Sequence, residues 1–337
     1  MGIGLLCVFE QFDIGLCLDH HKSPRPTIYY ILLRMNIVAT NITRLCVRSP
    51  LGVGSRRFLN VHEYASMEIM RSLGIPVPKT QVAHTAEEAG AVYRDLIGSG
   101  NEAVLKAMVL TGGRGLGHFD SGLQGGVHIV KAEKELKDLA NKMLGNNLIT
   151  KQTGAAGLPC NKVMVAERMH LRREMYLSMM LDRAAGGPMF VASPAGGTSI
   201  EDVAEATPDL IFTRPIDISV GVTDADAAFI ANALGFTAGT PLARECEDVV
   251  RRLYQLFTEK DCTLLEINPL AETPEGHVMV CDAKINFDDN AAFRQQEVHS
   301  YRDLTQEDMR EVQVSRCPRP APPVLYAHNR GSRGDVE

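Results

Sequence analysis

The sequence predicts an α+β fold, with charged helices layered on antiparallel strands. Two observations carry that prediction. Short apolar or β-branched runs such as 163–168 (VMVAER), 174–181 (EMYLSMML) and 188–193 (PMFVAS) follow one another, and the run 263–285 folds back on itself at Pro274-Glu275-Gly276. Mixed with these hairpins are charged helices such as 246–259 (CEDVVRRLYQLFTE), a combination that argues against a doubly wound parallel sheet.

Taken in order, the folded region is expected to begin near Asn60. Asn60 and Glu63 have the spacing of a capping box, and HEYASMEIMRSL then runs as a helix to Gly74. Residues 75–83 (IPVPKTQVA) are extended, because two prolines forbid a helix. Thr85 caps a second helix over 86–98, and AVLKAMV (103–109) is a strand. A glycine-rich segment leads from it into another short strand, 127–130 (VHIV). KELKDLANKML is a helix ending at Gly145, and LITKQ is a strand. After the three strands named above come the helices ADAAFIANAL and CEDVVRRLYQLFTE, and then the hairpin.

The 337 residues are 45% hydrophobic and 23% charged, ordinary for a globular chain and enough for two cores. A net charge of −6 gives no basic field for nucleic acid. The eight cysteines form no CxxC pair, which speaks against a disulfide framework or zinc site and for a reducing compartment. No apolar run reaches the ~18–20 residues of a membrane span. Residues 35–57 hold four arginines and no acid, the composition of a mitochondrial transit peptide, which favours Met35 over Met1 as the start. The competing reading is an arginine-containing tail with no targeting role. Three domains are expected: an extension over 1–57, a folded region over 58–313, and a disordered, proline-rich tail over 314–337.

Two constellations carry chemistry. Thr111-Gly112-Gly113-Arg114-Gly115-Leu116-Gly117 lies between two strands, with Lys106 on the strand that feeds it. Glycines let backbone N–H groups approach a polyphosphate, and a lysine adds a point charge. The segment is neither a Walker A loop nor a dinucleotide fingerprint, since a strand and not a helix follows. The second constellation is the hairpin. A turn centred on Glu275 sets Asn268 opposite Asp282 and Glu266 opposite Lys284, all on one face. Leu265, Ile267, Ala283 and Ile285 then form a core face. An amide oxygen beside a carboxylate suits Mg²⁺ completed by nucleotide phosphates and water. The bland alternative is a solvated polar face with a Glu–Lys pair worth under ~1 kcal/mol.

NVHEYASMEIM, VLKAMVLTGGRGLGHFDSGLQGGVHIVK, LITKQTGAAG, EINPLAETPEG and DAKINFDDNAAFRQ resemble the β subunit of succinyl-CoA synthetase (succinate–CoA ligase, ADP- or GDP-forming), from about Phe58 to Val312. The resemblance implies an ATP-grasp fold of two subdomains that take ATP/ADP or GTP/GDP with Mg²⁺. It implies that Lys106, Gly113, Arg114 and Gly115 meet the phosphates, that Glu174 contacts the nucleotide, and that Asn268 and Asp282 hold the metal. It also implies that Glu266 orients a phosphohistidine of an α subunit, in the conversion of succinate and CoA to succinyl-CoA in the mitochondrial matrix. Malate– or citrate–CoA ligase, or a non-catalytic nucleotide-binding chain, are the alternatives. The sequence departs from the family in having Leu116 where lysine is usual and in lacking the C-terminal flavodoxin-like domain, as a C-terminal truncation would.

Overall fold

The computed structural model describes residues 58–98, 100–307 and 312. The expected transit peptide over 35–57 and tail over 314–337 lie outside the described residues. Within them every strand pairing is antiparallel, as expected from the sequence.

The first layer opens with β1 (Phe58–Asn60), which pairs with the C-terminal strand β14 (Ala283–Asp288). That strand pairs with β12 (Cys262–Glu272), β12 with β9 (Arg173–Asp182), and β9 with β10 (Gly187–Ser193). The edge strand β11 (Phe212–Pro215) and the short β13 (Val278–Val280) beside β12 complete seven strands. Helices α1 (Glu63–Ser72), α5 (Asp224–Ala233) and α6 (Pro241–Glu259) share the core of this sheet. In α6 the buried residues Ala243, Cys246, Val249, Val250, Leu253, Leu256 and Phe257 recur at spacings of three and four, one stripe of a 3.6-residue helix. Each large side chain in that stripe contributes ~1.5–3 kcal/mol by leaving water. A capping box closes the start of α5, where Thr223 and Asp226 bond each other's backbone N–H groups.

The second layer is a four-stranded sheet ordered β2 (Thr80–Ala83), β8 (Val163–Glu167), β3 (Ala103–Ala107), β5 (Val127–Val130). Its core lies under α2 (Ala86–Val92) and α3 (Glu133–Met143). The Thr85 hydroxyl accepts from Glu88 N, the expected cap. Beyond Val92 the helix widens into a π turn over Tyr93–Ile97, tied by the Tyr93 hydroxyl, which lies 2.8 Å from both Asn101 O and Lys131 O and shares its one hydrogen between them. A small third sheet of β4 (His118–Phe119), β6 (Asn147–Ile149) and β7 (Leu158–Pro159) braces the glycine loop. Of two further short helices, α4 (Ile200–Ala206) adds no residue to these cores, whereas α7 (Gln296–Ser300) buries Val298 in the core of the large sheet.

The hairpin register holds: Glu266 pairs with Lys284, Leu265 with Ile285 and Leu270 with Val280. The register shifts only near the far end, between Cys262 and Leu264. One local expectation fails. Asn60 is the last residue of β1 and pairs with Asn286, so it cannot cap α1. His62 takes the N-cap position without a side-chain cap bond, and the Glu63 side chain goes elsewhere.

Candidate functional site

The site lies between the two larger sheets, and strand alternation creates it. On β3 the side chains of Leu105 and Ala107 enter the core under α2 and α3. Val104 and Lys106 therefore face the opposite way. Val104 packs there with Met108, Met164, Ala166 and Tyr64, the residue after Glu63 at the start of α1. Lys106 Nζ is 2.5 Å from Glu63 Oε1, and Arg114 Nη2 is 2.6 Å from Glu63 Oε2. Arg114 also donates to Ala107 O at 3.2 Å and approaches Asp282 Oδ2 at 3.5 Å. Two cations from the small sheet thus face two carboxylates from the large one.

Burial sorts these four groups. The Glu63 side chain is 3% exposed, Lys106 and Arg114 14% each, and Asp282 38%. Burial opposes the charge on Glu63, but Lys106 and then Arg114 outweigh it and hold the carboxyl below its ordinary value. Burial likewise works against Lys106, yet Glu63 and Asp282 raise it. Asp282 moves upward, because burial and the Glu63 carboxylate together exceed the pull of Lys106 and Arg114. The neighbouring Cys281 thiol is pushed up to about 12, mainly by burial, and it feels Lys106, Glu174, Asp282 and Glu63 at once.

The glycine loop is pinned at its edges and open at its centre. Gly112 N donates to Gln152 Oε1 at 2.8 Å, and the Thr111 and Thr150 hydroxyls lie 3.0 Å apart. Gly117 N and Gly126 N both donate to Arg114 O, at 3.2 and 2.8 Å. A Cβ at Gly117 would meet Ile149 O at 2.7 Å, so packing requires that glycine. At Gly113 and Gly115 a Cβ would meet nothing within 4 Å, which leaves space over the loop for a ligand. Gly113 has a φ of 69°, a conformation that favours glycine. Leu116 is exposed.

Across the cleft, Asn268 N donates to Asp282 O at 3.2 Å, so the two face each other as expected. The Asn268 amide is engaged: its Oδ1 accepts from Gly197 N and its Nδ2 donates to Thr198 O, both at 2.8 Å. Glu174 leans on the same loop, since a Cβ at Gly197 would lie 2.0 Å from its Oε2. Glu266 is half-buried. Burial raises its carboxyl, opposed by Lys284, and the Tyr176 hydroxyl donates to it. The structure therefore brings Lys106, Arg114, Asn268 and Asp282 around one cleft, with Glu174 at the Gly197 loop and Glu266 on the same hairpin.

Three features escaped the sequence reading. Glu63 has a local explanation as a capping residue that hides its long-range partners. The Gly196-Gly197 loop gave only a doubled glycine as signal. Asp303, which accepts from Lys162 at 3.0 Å and meets His62 Nε2 at 3.0 Å, ties the C-terminal stretch to the base of the cleft.

An antiparallel pair of layers with a glycine loop, paired cations and a facing amide–carboxylate hairpin defines a nucleotide-grasping module, and residues 60–272 match the ATP-grasp domain family. The chain belongs to that family. It is 50% identical over 261 residues to the β subunit of succinate–CoA ligase (ADP-forming), mitochondrial, of Solanum lycopersicum, covering 77% of this chain and 62% of that relative. It is 46% identical over 273 residues to the GDP-forming mitochondrial β subunit of Mus musculus, covering 81% and 62%. The chain thus spans about 62% of the length of these curated relatives. Among solved structures, ATP citrate lyase from Methanothrix soehngenii in complex with citrate and coenzyme A shares the fold, with a TM-score of 0.53 and 16% identity over 72% of this chain and 54% of that one. Among the described residues, no helix is long and apolar enough to cross a membrane.

Proposed function

We propose that this chain is the nucleotide-binding part of a succinate–CoA ligase β subunit, which exchanges a phosphoryl group between a nucleoside triphosphate and a histidine of an α subunit. The overall reaction interconverts succinate, CoA and nucleoside triphosphate with succinyl-CoA, nucleoside diphosphate and phosphate. The observation that carries this reading is the cleft itself, where Lys106, Arg114 and the open Gly113–Gly115 backbone face Asn268 and Asp282. Relatives named ADP-forming match at 46–50% identity and relatives named GDP-forming at 46%, so the nucleotide of this reading is ATP/ADP or GTP/GDP.

The residues divide the work by chemistry. Lys106 and Arg114 offer N–H donors beyond those spent on Glu63, and the glycine backbone adds more for phosphate oxygens. Asn268 and Asp282 fit Mg²⁺, for they are hard oxygen donors, and Asn268 Oδ1 keeps a lone pair beyond the one taken by Gly197 N. Bound there, Mg²⁺ would neutralise phosphate charge. Glu174 would hold the nucleotide from the Gly197 side. Glu266 would accept an N–H from the α-subunit imidazole and orient it; burial raises its carboxyl, and Lys284 and Tyr176 only partly oppose that rise. Positioning and charge neutralisation carry catalysis in such transfers. The acid-free, arginine-bearing stretch 35–57 and the mitochondrial relatives support action in the mitochondrial matrix.

The test is to co-express the full chain with an α subunit, measure binding of Mg-ADP and Mg-GDP, and follow phosphate transfer from the triphosphate to α-subunit histidine. Saturable binding with transfer, and product only with succinate and not malate or citrate, is the expected result. A folded chain that binds neither nucleotide refutes the reading. Binding without assembly leaves a non-catalytic nucleotide-binding chain.

A further inference from the structure

The two cations of the cleft share one bonded counter-ion, Glu63, whereas Asp282 pairs with Arg114 alone, at 3.5 Å. The Glu63 carboxylate uses both oxygens, Oε1 for Lys106 and Oε2 for Arg114, and is the most buried charge of the cluster. It belongs to the first turn of α1, where the helix's positive end favours an anion. Lys106 and Arg114 belong to β3 and its loop, in the other layer. A carboxylate is a poor partner for phosphate, so Glu63 cannot itself hold the nucleotide. We propose that Glu63 is a positioning residue for the phosphate site: it clamps Lys106 and Arg114 side by side across the cleft, so that both cations and the Arg114 backbone are fixed before a polyphosphate arrives.

The geometry shows why a clamp is needed. Two neighbouring cations, each mostly buried, repel one another and gain by extending toward water. A buried anion between them removes both tendencies. It also leaves donors in hand: a lysine ammonium has three and a guanidinium five, against one bond from Lys106 and one from Arg114 to Glu63, and one from Arg114 to Ala107. The Arg114 carbonyl accepts from Gly117 N and Gly126 N, so movement of Arg114 would loosen the glycine loop as well. Preorganisation of this kind raises affinity by removing the cost of ordering the site.

This inference rests on the proposed nucleotide function, so the experiment has one arm that needs no nucleotide. In the full chain, Glu63→Gln and Glu63→Asp are compared with wild type by hydrogen exchange at the Gly117 and Gly126 amides and by calorimetric titration with Mg-ADP. Glu63→Gln is expected to speed exchange at both amides several-fold and to weaken Mg-ADP binding at least ~10-fold. Glu63→Asp keeps the charge on a shorter arm that cannot reach both cations as well, and should fall between the two, with exchange faster than wild type and Mg-ADP binding at least ~3-fold weaker. Should Glu63→Gln fail to fold, Glu63→Asp decides alone: faster exchange with binding at least ~3-fold weaker supports the clamp, and wild-type behaviour overturns it. Unchanged exchange, or tighter Mg-ADP binding in Glu63→Gln, overturns the clamp and makes Glu63 merely a competing anion. Faster exchange in a protein whose wild type binds no nucleotide overturns the proposed function and with it the phosphate role, leaving a link between Glu63 and the loop alone.

Discussion

Replacing Asp282 with asparagine separates the metal role of the hairpin from plain charge balance, because the two make opposite predictions for one ligand. The cluster holds two cations, Lys106 and Arg114, and two carboxylates, Glu63 and Asp282. Asp282→Asn leaves it with a net positive charge. Asp282 is 3.5 Å from Arg114, a separation worth roughly 4–5 kcal/mol at an effective dielectric of 20. More than a third of the Asp282 side chain is open to solvent, and screening reduces that to about 1–2 kcal/mol. Metal-free ADP, which meets only charge, should therefore bind up to ~10-fold more tightly to the variant. Mg-ADP should bind ~10–100-fold more weakly, because a charged carboxylate ligand of the ion becomes a neutral amide. Calorimetric titration in excess Mg²⁺ and again in chelator reads both numbers from one preparation. If the two shift in the same direction, or neither moves, Asp282 is not a metal ligand.

Other changes test the frame around the site. Leu253→Ala empties a fully buried position in α6 and should cost ~2–5 kcal/mol, read as a lower urea midpoint. Glu272→Gln weakens a buried carboxylate held by Arg172 at 3.0 Å and Arg173 at 2.6 Å; a loss of ~1–3 kcal/mol in the same assay is expected, and none would mean that both arginines find equal partners in water. Asp303 is held well below the ordinary carboxylate range, because Thr305, His62 and Lys162 outweigh the burial that opposes its charge. A depressed folded value contributes stability above the unfolded value near ~3.9 and loses it as pH falls toward the folded one, so the stability gap between wild type and Asp303→Asn should be constant near neutrality and narrow below about pH 4.

How far the sequence could be read depended on whether local chemistry or distant partners decided each position. The hairpin was legible to the residue, because Pro274-Glu275-Gly276 fixes the turn and pleating does the rest: Glu266 meets Lys284. The helix α6 was legible over 246–259, but its first turn, opened by Pro241, was not. Lys106 was legible as a charge on an apolar strand beside glycines. Glu63 was not, since Asn-x-x-Glu before a helix has a complete local meaning. What overrode it was the pairing of Asn60 with Asn286, 226 positions away in the chain, which took the cap into a sheet and freed the Glu63 side chain to turn toward the cleft. The engagement of Asn268 with Gly197 and Thr198 was equally invisible, because a loop's reach across a strand is set by its closure and not by its composition.

That substitution of partners bears on how the site is built. Tyr64 packs into the core of the large sheet and also against Met108, Met164 and Ala166 of the small one, while the residue before it carries the carboxylate between Lys106 and Arg114. The first turn of α1 therefore joins the layers twice within two residues, once by apolar contact and once by charge. Apolar contact of this kind is non-directional and sets only how close the layers come. The charged contact is directional and sets where the cations point, with Ala107 O and Asp282 also holding Arg114. Docking of the two layers and assembly of the phosphate site are thus one set of contacts, with the helix that begins at Glu63 belonging to both.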